Sequence, residues 1–388
     1  MFTFFPDNYA WSMITNVEME MVGTVSEITD AIEPLKAVSG LEPTVSGRAW
    51  YETWTALGKH LEKLGTEDNN SSRRRSAARK FFRSGHYFLI AIRFLAHTDS
   101  RYLPSYQHAV KTIRLALQLR GDPVEWVEIP FGDKTLKAMY VKAKTTGPAP
   151  CMIVYNGFDV TKEYIHPVVA EPFTSRGISL LITDQPGSGA ALIEDNIPAV
   201  PETEHSAAAC IDYLETRSDV DPSRIGIIGA SLGGYYAPRA AAFEKRLAAC
   251  IAWGGVWDAG EIHDAIHNDP SRAKSINDWD EHAMWISGTS NSEDCREVFH
   301  RMTLKHVADK ITCPLLIMHG ENDRQVTERV AERTLEAAIN SSRAELKIFT
   351  REHGGSEHCH ADNIFLGTDY MADWTADVLG GDLNGGAK

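Results

Sequence analysis

One stretch constrains this chain more than any other: Arg224-Ile-Gly-Ile-Ile-Gly-Ala-Ser-Leu-Gly-Gly-Tyr-Tyr236. The apolar run Ile225 to Ile228 predicts a buried strand, Gly229 breaks it, and the small residues from Gly233 onward predict a helix. Ser231 falls on the turn between them, inside the G-x-S-x-G motif Gly229-Ala-Ser-Leu-Gly233. Glycine is needed on either side because side chains there would collide with the strand and the helix. The helix that starts beyond the serine offers backbone N–H groups and the positive end of its dipole, a setting suited to an oxyanion. Alone the pentapeptide is a weak signal. The strand before it and the Ala237, Ala240, Ala241, Ala242 helix after it make it specific.

Such a turn needs a sheet to carry it, and from about residue 122 the sequence supplies one. Candidate strands are Val124–Ile129, Leu136–Lys142, Cys151–Tyr155, Ile178–Thr183, Arg224–Ile228, Ala249–Trp253, Leu315–His319 and Leu346–Phe349. The first two pair antiparallel around Gly132-Asp133. The others alternate with helical patterns, which predicts an α/β fold with a mostly parallel, doubly wound sheet of about eight strands. Residues 1–121 read as a separate helical unit, 122–380 as the unit carrying the chemistry, and about 257–310 as a helical insertion after the sixth strand. In the first unit Trp50, Trp54, Leu57, Leu61 and Leu64 recur at helical spacing, with Gly65 closing that helix. A second helix is expected from Ser71-Ser72, with Phe81, Phe82, Tyr87 and Phe88, and a third from about Pro104. These aromatics are expected to pack as a core; the alternative is that some of them face a ligand pocket beneath the unit. The tail Gly380 to Lys388 is expected to be disordered.

Composition narrows the partners. A formal net charge of −14 argues against nucleic acid or an anionic membrane surface. The one basic cluster, Arg73-Arg74-Arg75, fits a solvated helix face. Cys151, Cys210, Cys250, Cys295, Cys313 and Cys359 show no C-x-x-C spacing, which fits reduced thiols in a cytoplasmic protein. Met1-Phe-Thr-Phe-Phe-Pro-Asp7 has no basic region or cleavage site, so no signal peptide is expected. The apolar run Tyr87 to Ala96 contains Arg93 and is too short to span a bilayer. A homodimer is the expected assembly.

A serine hydroxyl needs a base, and the base needs an acid to orient it. In this kind of sheet they come in the order serine, acid, histidine. The strand Leu315–His319 runs into Gly-Glu-Asn-Asp323, placing Asp323 just past the strand end, with Glu321 as the rival acid. After the last strand, Glu357-His-Cys-His360 offers His358 as the base, with His353 and His360 as alternatives. The oxyanion would be met by the N–H of Leu232 and by that of Phe158, in the loop Tyr155-Asn-Gly-Phe-Asp159. Asp184-Gln-Pro-Gly-Ser-Gly189 is a tight turn on the same rim, and Asp184 itself is expected to be structural. The histidine–cysteine spacing near residue 358 matches no standard ligand pattern, so neither metal nor cofactor is expected.

Taken together, Gly157-Phe-Asp-Val-Thr-Lys-Glu163, Asp184 to Gly189, Gly229 to Gly234, Trp253-Gly-Gly255, His319 to Asp323 and Glu357-His-Cys359 resemble the α/β-hydrolases with an N-terminal helical cap. The resemblance is to the 2,6-dihydroxypseudooxynicotine hydrolase type, which cleaves carbon–carbon bonds. It extends more distantly to fungal polyketide-shortening hydrolases and to fermentation–respiration switch esterases. It implies Ser231, Asp323 and His358 as a catalytic triad. It also implies a further carboxylate after the Trp-Gly-Gly strand end, for which Glu261 is the match and Asp258 the alternative. The function expected is hydrolysis of a C–C bond beside a carbonyl in a small aromatic or polyketide-like substrate. Cleavage of an ester or thioester by the same residues is the alternative.

Overall fold

The computed structural model describes residues 1–269, 271–276 and 278–384. Val, Ile and Leu runs without polar interruption give strands that bury both faces. β3 (Ala149–Tyr155) and β4 (Ser179–Thr183) are buried along their whole length, as parallel central strands require. With β1 (Val124–Phe131), β2 (Lys134–Val141), β5 (Val220–Ala230), β6 (Ala249–Trp253), β7 (Leu315–Gly320) and β8 (Ala344–Phe349) they form one eight-stranded sheet among the described residues. Its order is β1-β2-β4-β3-β5-β6-β7-β8. β2 runs antiparallel to β4, and the six strands β4, β3, β5, β6, β7 and β8 run parallel to one another. The chain has the α/β-hydrolase fold. β5 is longer than the sequence suggested because Val220 pairs with Ala149 across a register shift, a bulge that periodicity does not reveal.

The chain divides into two units, Met1–Val124 with Lys274–His282, and Glu125–Ala273 with Ala283–Lys388. The first contains α1 (Tyr9–Met21), α2 (Val25–Ile32), α3 (Pro43–Asn70), α4 (Arg74–Ile92) and α5 (Tyr102–Arg120). α3 does not end at Gly65 as its sequence suggested. Its buried stripe is Gly47, Trp50, Trp54, Gly58, Leu61, Gly65 and Asp68, spaced by three and four. A Cβ on Gly65 would lie 3.0 Å from the Phe81 ring, and one on Gly58 2.9 Å from Phe88. Both glycines therefore serve close approach to α4 rather than termination. Trp50 and Trp54 are fully buried, and the Trp50 indole donates to the Ile90 carbonyl at 2.8 Å. α4 starts at Arg74 rather than Ser71-Ser72, because Ser72 takes a left-handed turn at φ 59°.

In the second unit, α6 (Lys162–Ser175), α7 (Gly189–Ile193), α8 (Glu204–Glu215) and α9 (Gly233–Phe243) connect β3 through β6. Between β6 and β7 the chain forms α10 (Ala259–Asn268), α11 (Trp279–Ser287), whose first four residues belong to the first unit, and α12 (Ser292–Arg301). Next come α13 (Arg329–Ala337) and α14 (Ile364–Leu379), which ends on the left-handed Gly380. Residues 385–388 of the expected disordered tail lie outside the described residues. All six cysteines are free thiols. No helix is long and apolar enough to cross a membrane among the described residues.

Candidate active site

Ser231 sits where β5 ends and α9 begins, at φ 57°. A non-glycine residue there carries strain on the order of 1–3 kcal/mol, which the surroundings must hold. They do so through glycine. A Cβ on Gly229 would lie 1.8 Å from the Gly233 carbonyl oxygen, and one on Gly233 2.8 Å from that of Asn156. The Ser231 N–H donates to the Trp253 carbonyl at 2.8 Å, tying the turn to the end of β6.

Two later loops bring partners to the same edge of the sheet. The His358 ring contacts Ser231 Oγ through Nε2 at 2.8 Å and Asp323 Oδ2 through Nδ1 at 2.7 Å. Asp323 Oδ1 accepts the backbone N–H groups of Gln325 and Val326, both at 2.9 Å. An ionised carboxylate on one side assigns the histidine tautomer: Nδ1–H donates to Asp323, leaving Nε2 to accept from the serine. Burial pushes the Asp323 pKa up, but the neighbouring His358 and the hydrogen bonds outweigh it, so the acid lies below its ordinary value. For His358 burial is the largest effect and works downward, but Asp323 and Cys359 together, through charge and hydrogen bonds, outweigh it, and its pKa is raised.

The other candidates fall elsewhere. Glu321 is exposed and accepts the Arg351 N–H, and His353 contacts Thr350; among the described residues no hydrogen bond joins either to Asp323 or Ser231. Asp258 caps α10 by accepting the Glu261 N–H at 2.9 Å. The Glu261 carboxylate forms a two-point pair with Arg333 of α13, at 2.6 and 3.0 Å, with its side chain 53% exposed. That is the start-of-helix acid the dipole favours. Among the described residues no hydrogen bond joins either carboxylate to Ser231 or His358. Leu232 follows the serine directly in the chain, and Phe158 follows Gly157. A Cβ on Gly157 would lie 3.0 Å from that of Ser231, so the loop that carries Phe158 passes against Ser231 at Gly157. Leu232 opens the first turn of α9. Among the described residues no group of three or more His, Cys, Asp or Glu side chains is placed to hold a metal ion.

Several contacts had no sequence signal. His360 is buried, and its Nδ1 accepts the Trp253 indole N–H at 2.7 Å. Burial, with His319 nearby, lowers its pKa to about 3, so it stays neutral. Cys359 and His360 both take left-handed backbone, at φ 47° and 60°, and the Cys359 thiol lies 3.6 Å from His358 Nε2. The two loops are stitched together: Asn322 N donates to the Ser356 carbonyl at 2.9 Å, and Glu357 accepts from Asn322 at 2.8 Å and Arg324 at 3.1 Å. Only the register of β6, β7 and β8 makes these residues neighbours.

Comparison with known proteins agrees with the α/β-hydrolase fold. The model of the family described as esterase FrsA-like matches residues 9–279, and that of the prolyl oligopeptidase family matches residues 202–382. Hydrolyase poxO of Penicillium oxalicum is 25% identical over 75% of this chain and 78% of its own. Hydrolase LUC6 of a Fusarium species is 28% identical over 69% and 72%. Among solved structures, 2,6-dihydroxy-pseudo-oxynicotine hydrolase superposes with a TM-score of 0.77 at 24% identity, covering 97% of this chain and 99% of its own.

Proposed function

Because the chain belongs to the FrsA-like esterase family of α/β-hydrolases, we propose that it hydrolyses a bond at a carbonyl carbon with Ser231 as nucleophile, His358 as base and Asp323 as orienting acid. The observation that carries this is the unbroken chain Asp323–His358–Ser231, at 2.7 and 2.8 Å. His358 Nε2 takes the serine proton as Oγ attacks, and the new imidazolium is held by Asp323. The tetrahedral oxyanion is met by the N–H groups of Leu232 and Phe158. His358 then gives its proton to the leaving group, and water repeats the sequence on the acyl-enzyme.

For the bond broken, the motif set from Gly157 to Cys359 favours a C–C bond beside a ketone, in a β-diketone or acyl-aromatic substrate of small size. With Glu261 engaged by Arg333, no second carboxylate is assigned to the departing carbon. The substrate must then stabilise that carbon itself, as an enol or an electron-rich ring, until His358 protonates it. The same Glu261–Arg333 pair favours a second reading, an ester or thioester, whose leaving oxygen or sulfur needs no such help.

The test compares an aryl β-diketone with an aryl ester carrying the same acyl group, in wild type and Ser231→Ala. Turnover of both, lost together in the variant, supports the C–C assignment. Turnover of the ester alone moves the assignment to the second reading. Diketone turnover that survives Ser231→Ala refutes the nucleophile.

A further inference from the structure

Acyl transfer through Ser231 leaves one buried cluster of charged and amide side chains without a task. It lies around the loop after β3, residues 156–161, which carries Gly157 and Phe158. Asp184 and Gln185 come directly after the neighbouring strand β4, and both are buried, at 0% and 1% exposure. The Gln185 carboxamide brackets one residue of the loop. Its Oε1 accepts the Asn156 N–H at 3.1 Å and its Nε2 donates to the Asn156 carbonyl at 2.9 Å.

Asp184 grips both ends of the same loop. Oδ1 accepts from Asn156 Nδ2 at 3.0 Å and from the Lys162 N–H at 2.7 Å. Oδ2 accepts from Lys162 Nζ at 2.8 Å and from the Ala190 N–H at 2.8 Å. Gly189, at φ 44°, makes room for this: a Cβ there would lie 2.1 Å from the Asp184 carboxyl carbon. Lys162 is completed by Glu163 at 2.6 Å, with side-chain exposures of 3% and 0%. Burial opposes the lysine charge, but Asp184 and Glu163 outweigh it and the ammonium persists.

A buried ion cluster of this kind is a poor source of net stability, because desolvation offsets most of the attraction. What it supplies is fixed geometry. Six hydrogen bonds from two adjacent residues hold Asn156, Lys162 and α7. The backbone so held is the one whose Gly157 lies against Ser231, with Phe158 next.

We propose that Gln185, backed by the Asp184–Lys162 pair, is a positioning residue for the oxyanion hole: it fixes the Asn156 peptide so that the Phe158 N–H points at the developing oxyanion. This rests on the serine mechanism proposed above. An oxyanion donor acts on the tetrahedral state and hardly on the planar substrate, so misplacing it lowers kcat and spares KM. Removing one such donor outright costs about 100- to 1,000-fold in kcat. Loosening its support is expected to cost about 10- to 100-fold.

The test uses the full chain with Gln185→Leu, which loses both hydrogen bonds, and Gln185→Glu, which keeps the side-chain volume and loses the donor. Turnover of a p-nitrophenyl ester gives kcat and KM. Calorimetry gives the affinity for phenylboronic acid, whose adduct with a serine is tetrahedral, and for benzoate, which is planar. At least one folded Gln185 variant is expected to lose about tenfold or more in both kcat and boronate affinity, with KM and benzoate affinity within about threefold of wild type. A purely structural role moves all four quantities together, or only the melting temperature, and either result overturns the proposal. So does boronate binding unchanged in both variants, or failure of both to fold, which assigns the clamp to stability. A Ser231→Ala control separates the two levels. Boronate bound equally by wild type and Ser231→Ala refutes the serine mechanism itself, whereas boronate lost in Ser231→Ala but kept in the Gln185 variants refutes only the positioning role.

Discussion

Replacing Asp323 by asparagine exchanges one oxygen for an NH2 and reverses the hydrogen bond that orients His358. Asp323 Oδ1 is held by two backbone N–H groups, those of Gln325 and Val326, both at 2.9 Å. The asparagine carbonyl must take that position, since turning its NH2 there would set a donor against two donors. Each unpaired buried group costs about 1–3 kcal/mol, so the flipped amide is disfavoured by several. The NH2 therefore lands where Oδ2 now contacts His358 Nδ1 at 2.7 Å. Facing a donor, Nδ1 gives up its proton to Nε2, which then points an N–H at Ser231 Oγ and cannot accept the serine proton. The expected loss is about 10,000-fold in kcat. A second signature concerns pH. His358 must be neutral to act as base, so activity falls as pH drops through its pKa. Burial depresses that pKa, and Asp323 is the largest of the contributions, shared with Cys359, that together raise it above its ordinary value. Removing the charge lowers the pKa, so the acid limb of residual kcat/KM should move to lower pH. Ester hydrolysis measured over about pH 5 to 9 reads both effects. A variant within tenfold of wild type, or an acid limb shifted upward, would refute the reasoning. Glu321→Gln, which alters an exposed acceptor of the Arg351 N–H, is the control and should stay within about threefold.

Ser231→Ala should fold normally and lose at least about a thousandfold in turnover, checked by steady-state rates beside a thermal melt. Glu261→Gln weakens an exposed pair with Arg333, and activity on an aryl ester should change less than about threefold. A hundredfold loss confined to a diketone substrate would give this carboxylate a chemical role. Glu18 in α1 is fully buried, neither carboxyl oxygen has a hydrogen-bond partner among the described residues, and burial raises its pKa well above the ordinary range. The folded state thus holds a proton that the unfolded chain releases. Stability should fall by up to about 1.4 kcal/mol per pH unit above the unfolded pKa until the folded value is reached. Glu18→Gln should flatten that dependence in denaturant titrations. Trp50→Ala, which also removes the bond to the Ile90 carbonyl, should cost the helical unit about 3–5 kcal/mol in the same assay.

Local chemistry made much of this protein legible. The Gly229–Gly233 pentapeptide announced its own turn, because only glycine tolerates the contacts that β5 and α9 impose there. Aliphatic runs announced the central parallel strands β3 to β7, because burial on both faces leaves few polar positions. Asp323 and His358 stood out as candidates because each follows a strand, β7 or β8, that runs parallel with β5 and so ends at the same edge of the sheet as Ser231.

What the chain could not announce depended on which strands are neighbours. Gly65 carries a terminator's residue type, yet α3 passes through it because Phe81 of α4 packs on it. Glu261 has the right place in the sequence for a further acid, but its direction was decided by Arg333, more than seventy residues later, on α13. Gln185 and Asp184 read as an ordinary turn; only the parallel pairing of β3 with β4 sets that turn beside Asn156 and Lys162. Residue type and periodicity act over a few positions along the chain. Side-chain direction, burial and the partners of a charge are settled by strand order and helix packing, which bring together residues far apart in sequence.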